Sequence, residues 1–202
     1  MKLDPASAAA AAALEDDPFY RSITDEFAGD PAKRSAILER YFAYSIQEGC
    51  DLGRTVHLPD PSQGVAVWLL PQSAETRARS AREKRSFLDN TLGARGAANY
   101  YRIVEYMHDK AEAIVGDDAW YLSIIAVDPA LQGRGCGQQL LAPTLAEADA
   151  RSVVTYLETF SPRNPRFYER LGFTTRARFD EPTTRAQYAV MIRNPQALHA
   201  NG

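Results

Sequence analysis

An almost wholly apolar run, Trp120–Val127, constrains the fold of this chain more than any other segment. Asp118 precedes it and Pro129 follows, so it has the pattern of a strand that is buried on both faces. After it, helical and extended patterns alternate in the order helix, strand, helix, strand, strand. A helix between two strands returns the chain so that the second strand runs in the same direction as the first. The order therefore predicts an α/β protein with a mixed sheet that is parallel at its centre.

Hydrophobic periodicity and breaker residues predict the other elements. In the C-terminal part these are helices over 135–148 and 164–171, and strands over 152–159, 173–179 and 187–192. In the N-terminal part they are helices over 7–14, 32–48, 73–92 and 95–114, and a β-hairpin of 54–58 with 65–70. Gly49 is predicted to end the second helix. A length of 202 residues, without repeats or linkers, indicates a single domain over residues 1–202.

Charge and cysteine content argue against several classes of partner. The chain has 26 acidic and 23 basic residues, and its net charge of -3 supplies no broad attraction for nucleic acid or an anionic membrane. No apolar run reaches the ~20 residues that span a bilayer. Cys50 and Cys136 lie far apart without Cys or His neighbours at ligand spacing, which argues against a disulfide framework and a metal site. We therefore expect a cytoplasmic protein without a metal, nucleic-acid or membrane partner.

Three glycines at alternate positions, Gly133, Gly135 and Gly137, stand between the apolar strand and the helix after it. Glycines let a backbone approach a ligand closely, and the free amides of a helix's first turn carry the positive end of the helix dipole. Such a turn binds a diphosphate, although a tight turn without a ligand would use the same residues. The segment lacks the Lys-Ser/Thr ending of a P-loop, and its glycine spacing differs from the dinucleotide-binding fingerprint.

The segment Gln132-Gly-Arg-Gly-Cys-Gly137 resembles the acetyl-CoA motif of the GNAT superfamily. Residues 125–129 resemble the fourth strand of that family, and 164–173, Asn-Pro-Arg-Phe-Tyr-Glu-Arg-Leu-Gly-Phe, resemble its second hallmark. From about 119 to 193 the chain is most similar to the puromycin N-acetyltransferase type. The resemblance implies a GNAT-like fold, with a central mixed, mostly antiparallel sheet, a splayed parallel pair at its centre and flanking helices. Because only residues 1–4 precede the first helix, the family's first strand is expected to be short or missing.

The resemblance also implies acetyl-CoA as the acyl donor. The residues that it implies in donor binding are Ile125, Ala126, Val127, Gln132, Gly133, Arg134, Gly135, Cys136, Gly137, Gln138, Asn164 and Tyr168. The backbone of 125–127 would bond the pantetheine arm, and the amides of 133–138 would bind the pyrophosphate. Gln132 would shape the turn, and Arg134 would add charge or serve solubility.

Two catalytic residues are implied in the same way. Tyr168 would protonate the leaving thiolate, with a packing role in the core as the alternative. Glu158 is the best-placed general base, although it could instead only hydrogen-bond the sheet or the substrate, and a water chain could replace it. Asn164 would bond the donor near its pantetheine arm or else cap its helix.

The function that follows is transfer of an acetyl group from acetyl-CoA to a primary amine, by direct attack in a ternary complex. Residues 1–118 would supply the helices of the acceptor pocket, and 119–193 would form the acetyl-CoA-binding core. Aromatic residues in the N-terminal helices favour a closed pocket for a small-molecule amine. A protein or peptide acceptor is the first alternative, and a non-catalytic acyl-CoA-binding module is the second. A homodimer is left open.

Overall fold

The computed structural model describes residues 3–196 of the chain. Seven α-helices lie in this range: α1 (Ser7–Leu14), α2 (Pro18–Ile23), α3 (Pro31–Leu52), α4 (Ala74–Thr91), α5 (Gly93–Glu112), α6 (Cys136–Ala150) and α7 (Pro165–Glu169). The six strands are β1 (Gly53–His57), β2 (Gly64–Leu69), β3 (Trp120–Val127), β4 (Thr155–Thr159), β5 (Thr174–Glu181) and β6 (Ala186–Arg193). None of the helices in the described range is long and apolar enough to cross a membrane.

All six strands form one sheet in the order β1-β2-β3-β4-β6-β5. Only β3 and β4 run parallel, and α6 is the crossover between them; the other neighbouring strands are antiparallel. The predicted mixed, mostly antiparallel sheet with a parallel pair at its centre is therefore confirmed. Strand β3 also begins and ends at the predicted residues.

The parallel pair is joined over only part of its length. Trp120, Tyr121 and Leu122 of β3 pair with the first three residues of β4, and the pairing stops there although β3 continues to Val127. At the same level β3 carries a bulge, because Val67 and Trp68 of β2 pair with Ile124 and Leu122 and skip Ser123. A bulge bends its strand and increases the local twist. The two strands consequently separate toward their carboxyl ends, as the splayed pair of the family implies.

The core has two parts, one on each face of the sheet. Alternate residues of β2 divide between them, because successive side chains of a strand point to opposite faces. Val65 and Val67 pack with α1 to α5, and Ala66 and Trp68 pack with α6 and α7. Strand β3 is likewise covered on both faces, as its apolar sequence predicts.

Several boundaries differ from the sequence predictions. The predicted helix end at Gly49 is wrong, because α3 continues to Leu52. A Cβ atom on Gly49 would lie 2.5 Å from Val67 Cγ1 and 2.8 Å from a side-chain oxygen of β1, so this glycine permits close packing on the sheet. Strand β4 begins three residues after its predicted start, because Ser152 has a φ of 56° in the turn after α6. Helix α7 is shorter than predicted and ends at Glu169.

The described residues before β1 lack the first strand that the resemblance implies. Residues 3–52 contain helices and no strand, and the alanine-rich α1 packs against α3 and β3. Small alanine side chains allow this close approach, since Ala6, Ala10 and Ala11 are almost fully buried. Helix α1 thus covers part of β3.

Candidate functional site

The loop after β3 is held by local hydrogen bonds. Asp128 Oδ1 accepts from Ala130 N at 2.8 Å, and Gln132 Nε2 donates to the carbonyl oxygen of Val127 at 3.2 Å. Gly133 and Gly135 have φ values of 78° and 85°, which side chains other than glycine rarely adopt. A Cβ atom at either glycine would meet no protein atom within 4 Å. The two glycines therefore leave open space above the loop as well as providing its turn.

A groove of about 440 Å³ lies over this loop and the start of α6. It brings together most of the predicted loop residues: Val127, Gln132, Gly133, Gly135, Cys136, Gly137 and Gln138. Arg134 is exposed and does not line the groove. Arg170, which the sequence reasoning passed over, lines it from the end of α7 together with Phe167 and neighbouring leucines.

A second cavity, of about 340 Å³, opens where β3 and β4 separate. Strands β3 and β4 form its floor, and α2, α5 and α7 contribute to its walls. Four of the predicted site residues line it: Ile125, Glu158, Asn164 and Tyr168. The side chain of Ala126 lies in the core, with only 2% of the residue's surface exposed, and the role predicted for this residue concerns its backbone alone. Most of the remaining lining is aromatic or aliphatic: Leu14, Phe19, Tyr20, Leu69, Tyr100, Val104, Met107, Ala111, Tyr121, Leu122, Ile124, Tyr156 and Phe160.

Glu158 faces this cavity from β4. The Tyr121 hydroxyl donates to Glu158 Oε2 at 3.3 Å, while Oε1 is buried and has no hydrogen-bond partner among the described residues. The rings of Tyr121 and Tyr156 stack beside it with centroids 4.8 Å apart. Burial raises the pKa of Glu158 to about 8, against the opposing effect of the Tyr121 hydrogen bond. The carboxyl group is therefore mainly protonated at neutral pH.

Asn164 and Tyr168 lie one helical turn apart, and both line the cavity. Asn164 Nδ2 donates to Thr159 Oγ1 at 3.2 Å, which ties the start of α7 to the end of β4. The Asn164 side chain makes no capping hydrogen bond to α7. Tyr168 is 4% exposed, and burial raises its pKa well above the usual range. Its phenol therefore keeps its proton at neutral pH.

Asp17 is a second carboxyl group in the cavity wall, which the sequence reasoning did not assign to the site. It caps α2, since its Oδ1 accepts from Phe19 N at 2.9 Å. Burial raises its pKa to about 6, and the Phe19 hydrogen bond opposes this rise. The Asp17-Pro18 pair was a visible signal in the sequence, because Asp followed by Pro is a strong helix-start pattern.

Two basic side chains complete the lining. Lys84 Nζ lies 2.7 Å from Glu48 Oε2, so its charge is balanced within the protein. His108 is exposed and reaches the cavity from α5, whereas His57 lies elsewhere and pairs with Asp4. Within residues 3–196, no group of three or more His, Cys, Asp or Glu side chains is placed to hold a metal ion.

Part of the chain matches a known protein family. Residues 101–175 match the family model of the acetyltransferase (GNAT) domain. This segment runs from α5 through the glycine loop, Glu158 and α7 into β5. This part of the chain is therefore similar to a GNAT acetyltransferase domain, and the similarity supports an acetyl-CoA-dependent N-acetyltransferase.

Solved structures agree in fold at low sequence identity. A structure from Corynebacterium glutamicum, described as histone acetyltransferase HPA2 and related acetyltransferase, is 22% identical with a TM-score of 0.62. The match covers 96% of this chain and 91% of that one. Arylalkylamine N-acetyltransferase 2 from Aedes aegypti is 14% identical with a TM-score of 0.60, over 95% and 94% of the two chains. An agmatine N-acetyltransferase is also 14% identical with a TM-score of 0.60, over 93% and 91%. These similarities show a shared fold.

Proposed function

We propose that this protein transfers the acetyl group of acetyl-CoA to a primary amine of a small molecule, by direct attack in a ternary complex. The observation that carries the proposal is the cavity at the separated ends of β3 and β4. It contains a carboxyl group, a protonated phenol and aromatic walls, and β3 leads from it toward the glycine loop. The glycine loop and the cavity together provide room for an acyl donor with a long arm and for an acceptor amine.

The groove suits the diphosphate of the donor. Gly133 and Gly135 leave its floor open to a large ligand, and the amides of Cys136, Gly137 and Gln138 in the first turn of α6 have no helical partners. Arg170 supplies a positive charge in the groove, a role that the sequence reasoning weighed for Arg134 against a role in solubility. Backbone groups of β3 beyond Leu122, where β4 no longer pairs, would continue the sheet toward the pantetheine arm through Ile125, Ala126 and Val127.

The acetyl-CoA thioester supplies an activated acetyl carbon. The amine nitrogen bonds to that carbon, the carbon–sulfur bond breaks, one proton leaves the nitrogen and one reaches the thiolate. In this scheme Glu158, once ionised, accepts the nitrogen's proton, and Tyr168 donates to the thiolate. Asn164 positions the arm beside Tyr168, and the amide of Val127 is the candidate donor to the developing oxyanion.

The acceptor side favours a small molecule over a peptide. Helices α2 and α5 wall the cavity with rings, and a peptide would need an open groove with polar backbone contacts. Two proteins of similar fold are named for small amines, an arylalkylamine and agmatine. The puromycin N-acetyltransferase resemblance adds aminonucleosides to the amines worth testing. The HPA2-like structure keeps a protein acceptor as the alternative.

An amine screen tests the proposal. The enzyme would be incubated with acetyl-CoA and, in turn, with arylalkylamines, aminonucleosides, polyamines, amino acids and short peptides, with thiol release and product mass as readouts. Enzyme and acetyl-CoA without an amine give the hydrolysis background. Acetylation of a small amine well above that of every peptide is expected. Better turnover of peptides would establish the alternative, and donor binding without any transfer would indicate an acyl-CoA-binding module.

A further inference from the structure

Asp17 is a cavity-lining carboxyl group for which the proposed chemistry has no use. It lies at the junction of α1 and α2, at the opposite end of the chain from Glu158. Its Oδ1 is engaged by Phe19 N at 2.9 Å, and its Oδ2 makes no hydrogen bond to any described residue. One oxygen is therefore fixed by the helix cap, and the other is available to a ligand in the cavity.

Charges around the cavity leave Asp17 as its main anion near pH 7. Lys84 is balanced by Glu48, and Glu158 is mainly protonated because it is buried. Asp17, with a pKa of about 6, is mainly ionised. Two carboxyl groups in one cavity that differ in pKa can differ in charge at the same pH and therefore have different roles. The anionic one attracts a cation, and the neutral one does not.

Three aromatic rings line the same cavity as Asp17. The Phe19 ring lies 5.1 Å from the Tyr20 ring and 5.8 Å from the Tyr100 ring, both at steep angles, and all three line the cavity. The negative charge of Asp17 also raises the pKa of Tyr168, so Asp17 acts on the same part of the cavity as this phenol. Ring faces attract cations and stack on other rings, which adds to the attraction of a carboxylate.

We propose that Asp17 selects the acceptor by binding the ammonium group of an amine that carries an aromatic ring. The inference rests on the proposed function, since it names the substrate class for the same cavity. Asp17 holds the amine in its cationic form, with the substrate ring between the aromatic walls. Attack requires the neutral amine, so the ammonium group first releases one proton to solvent, and Glu158 accepts the second proton as the carbon–nitrogen bond forms. A charge-assisted hydrogen bond contributes about 1.5–3 kcal/mol, which corresponds to an affinity ratio of roughly ten to a hundred between an amine and its uncharged analogue.

Binding of matched ligand pairs, measured by calorimetry at pH 7 without acetyl-CoA, tests this role directly. The pairs are benzylamine with benzyl alcohol, 2-phenylethylamine with 2-phenylethanol, and tyramine with tyrosol. Asp17→Asn removes the charge and keeps the helix cap, because Asn caps as well as Asp. Asp30→Asn is the matched control: Asp30 caps α3 through Lys33 N at 3.0 Å, precedes a proline in the same way, is exposed and lies outside the cavity.

The native protein and Asp30→Asn should bind at least one amine about tenfold or more tightly than its alcohol. Asp17→Asn should reduce that ratio below about threefold through weaker amine binding, with alcohol binding unchanged. An unchanged ratio in Asp17→Asn, or no preference for any amine in the native protein, would overturn the role of Asp17. Acetyl transfer is measured separately by thiol release. Selective amine binding without transfer would refute the proposed function alone, and transfer without dependence on Asp17 would refute only this inference.

Discussion

Replacing Glu158 by Gln isolates the effect of one ionisable group on both stability and rate. The Gln amide oxygen can still accept the Tyr121 hydroxyl, which lies 3.3 Å from Glu158 Oε2, so the packing of the side chain is kept. What the variant loses is the ability to ionise. Because burial is the main cause of the raised pKa of Glu158, the effect on stability should depend on pH in a defined direction.

The direction in which stability changes with pH follows from the pKa of Glu158 in the folded and the unfolded protein. Burial raises the pKa of Glu158 from an ordinary value of 4.5 to about 8 in the folded protein. Between these values the unfolded chain has released the proton and the folded protein has kept it, so the stabilisation from this group is complete below pH 4.5 and is lost as pH rises toward 8. The loss is about 1.4 kcal/mol per pH unit, or on the order of 3 kcal/mol by pH 7, as an upper bound for this buried carboxyl group. Glu158→Gln does not suffer this loss.

Denaturant unfolding at pH 5, 6, 7 and 8 measures the difference in free energy of unfolding between the variant and the native protein. The margin in favour of Glu158→Gln should grow steadily up to about pH 8 and then level off. Glu112→Gln, an exposed substitution at the end of α5, should show no comparable trend. A flat margin would show that Glu158 titrates normally, and the protonation state assigned to the cavity would be wrong.

The rate of the reaction depends on the same group. If Glu158 is the base, kcat/KM should rise with pH through about 8 as the carboxyl group ionises. Glu158→Gln should abolish this rise of kcat/KM with pH and lower kcat by about 10²-fold or more. Any rise that comes from ionisation of the amine substrate itself should remain. A variant with the native pH profile would refute the assignment of Glu158 as base and favour a water chain.

Two further substitutions test the donor side of the site. Gly135→Val should weaken CoA binding at least about tenfold, as measured by calorimetry, because the side chain obstructs the groove and strains a φ of 85°. The control Gly29→Val, at an exposed glycine with open space around it, should leave CoA binding unchanged. Native affinity in a folded Gly135→Val protein would remove the groove as the diphosphate site. Tyr168→Phe should keep stability and CoA affinity but lower kcat about 10²-fold or more. The control Tyr188→Phe removes a buried hydroxyl that has no hydrogen-bond partner among the described residues, and it should keep native turnover. Full turnover by Tyr168→Phe at saturating substrate would make Tyr168 a packing residue.

Local patterns in the sequence were sufficient for the sheet and for the loop. The bounds of β3 were predicted to the residue, because an apolar run between Asp118 and Pro129 has few alternatives. The parallel β3–β4 pair followed from the helix between them. Gly133 and Gly135 have the positive φ values expected of a glycine-rich turn before a helix. These features depend on interactions between residues close in the chain, which periodicity and turn chemistry record.

Tertiary structure decided what the cavity contains and how its groups ionise. Gly49 was wrongly predicted to end a helix. It is a glycine because α3 packs closely there against Val67, on a strand that follows later in the chain. The bulge at Ser123 that opens the cavity depends on pairing with β2. Asp17 and Glu158 come from opposite ends of the chain, and their pKa values are set by burial that only the folded chain produces. The sequence alone therefore determined the scaffold and the glycine loop, whereas the cavity was fixed by packing between distant segments, since desolvation is a property of the assembled cavity.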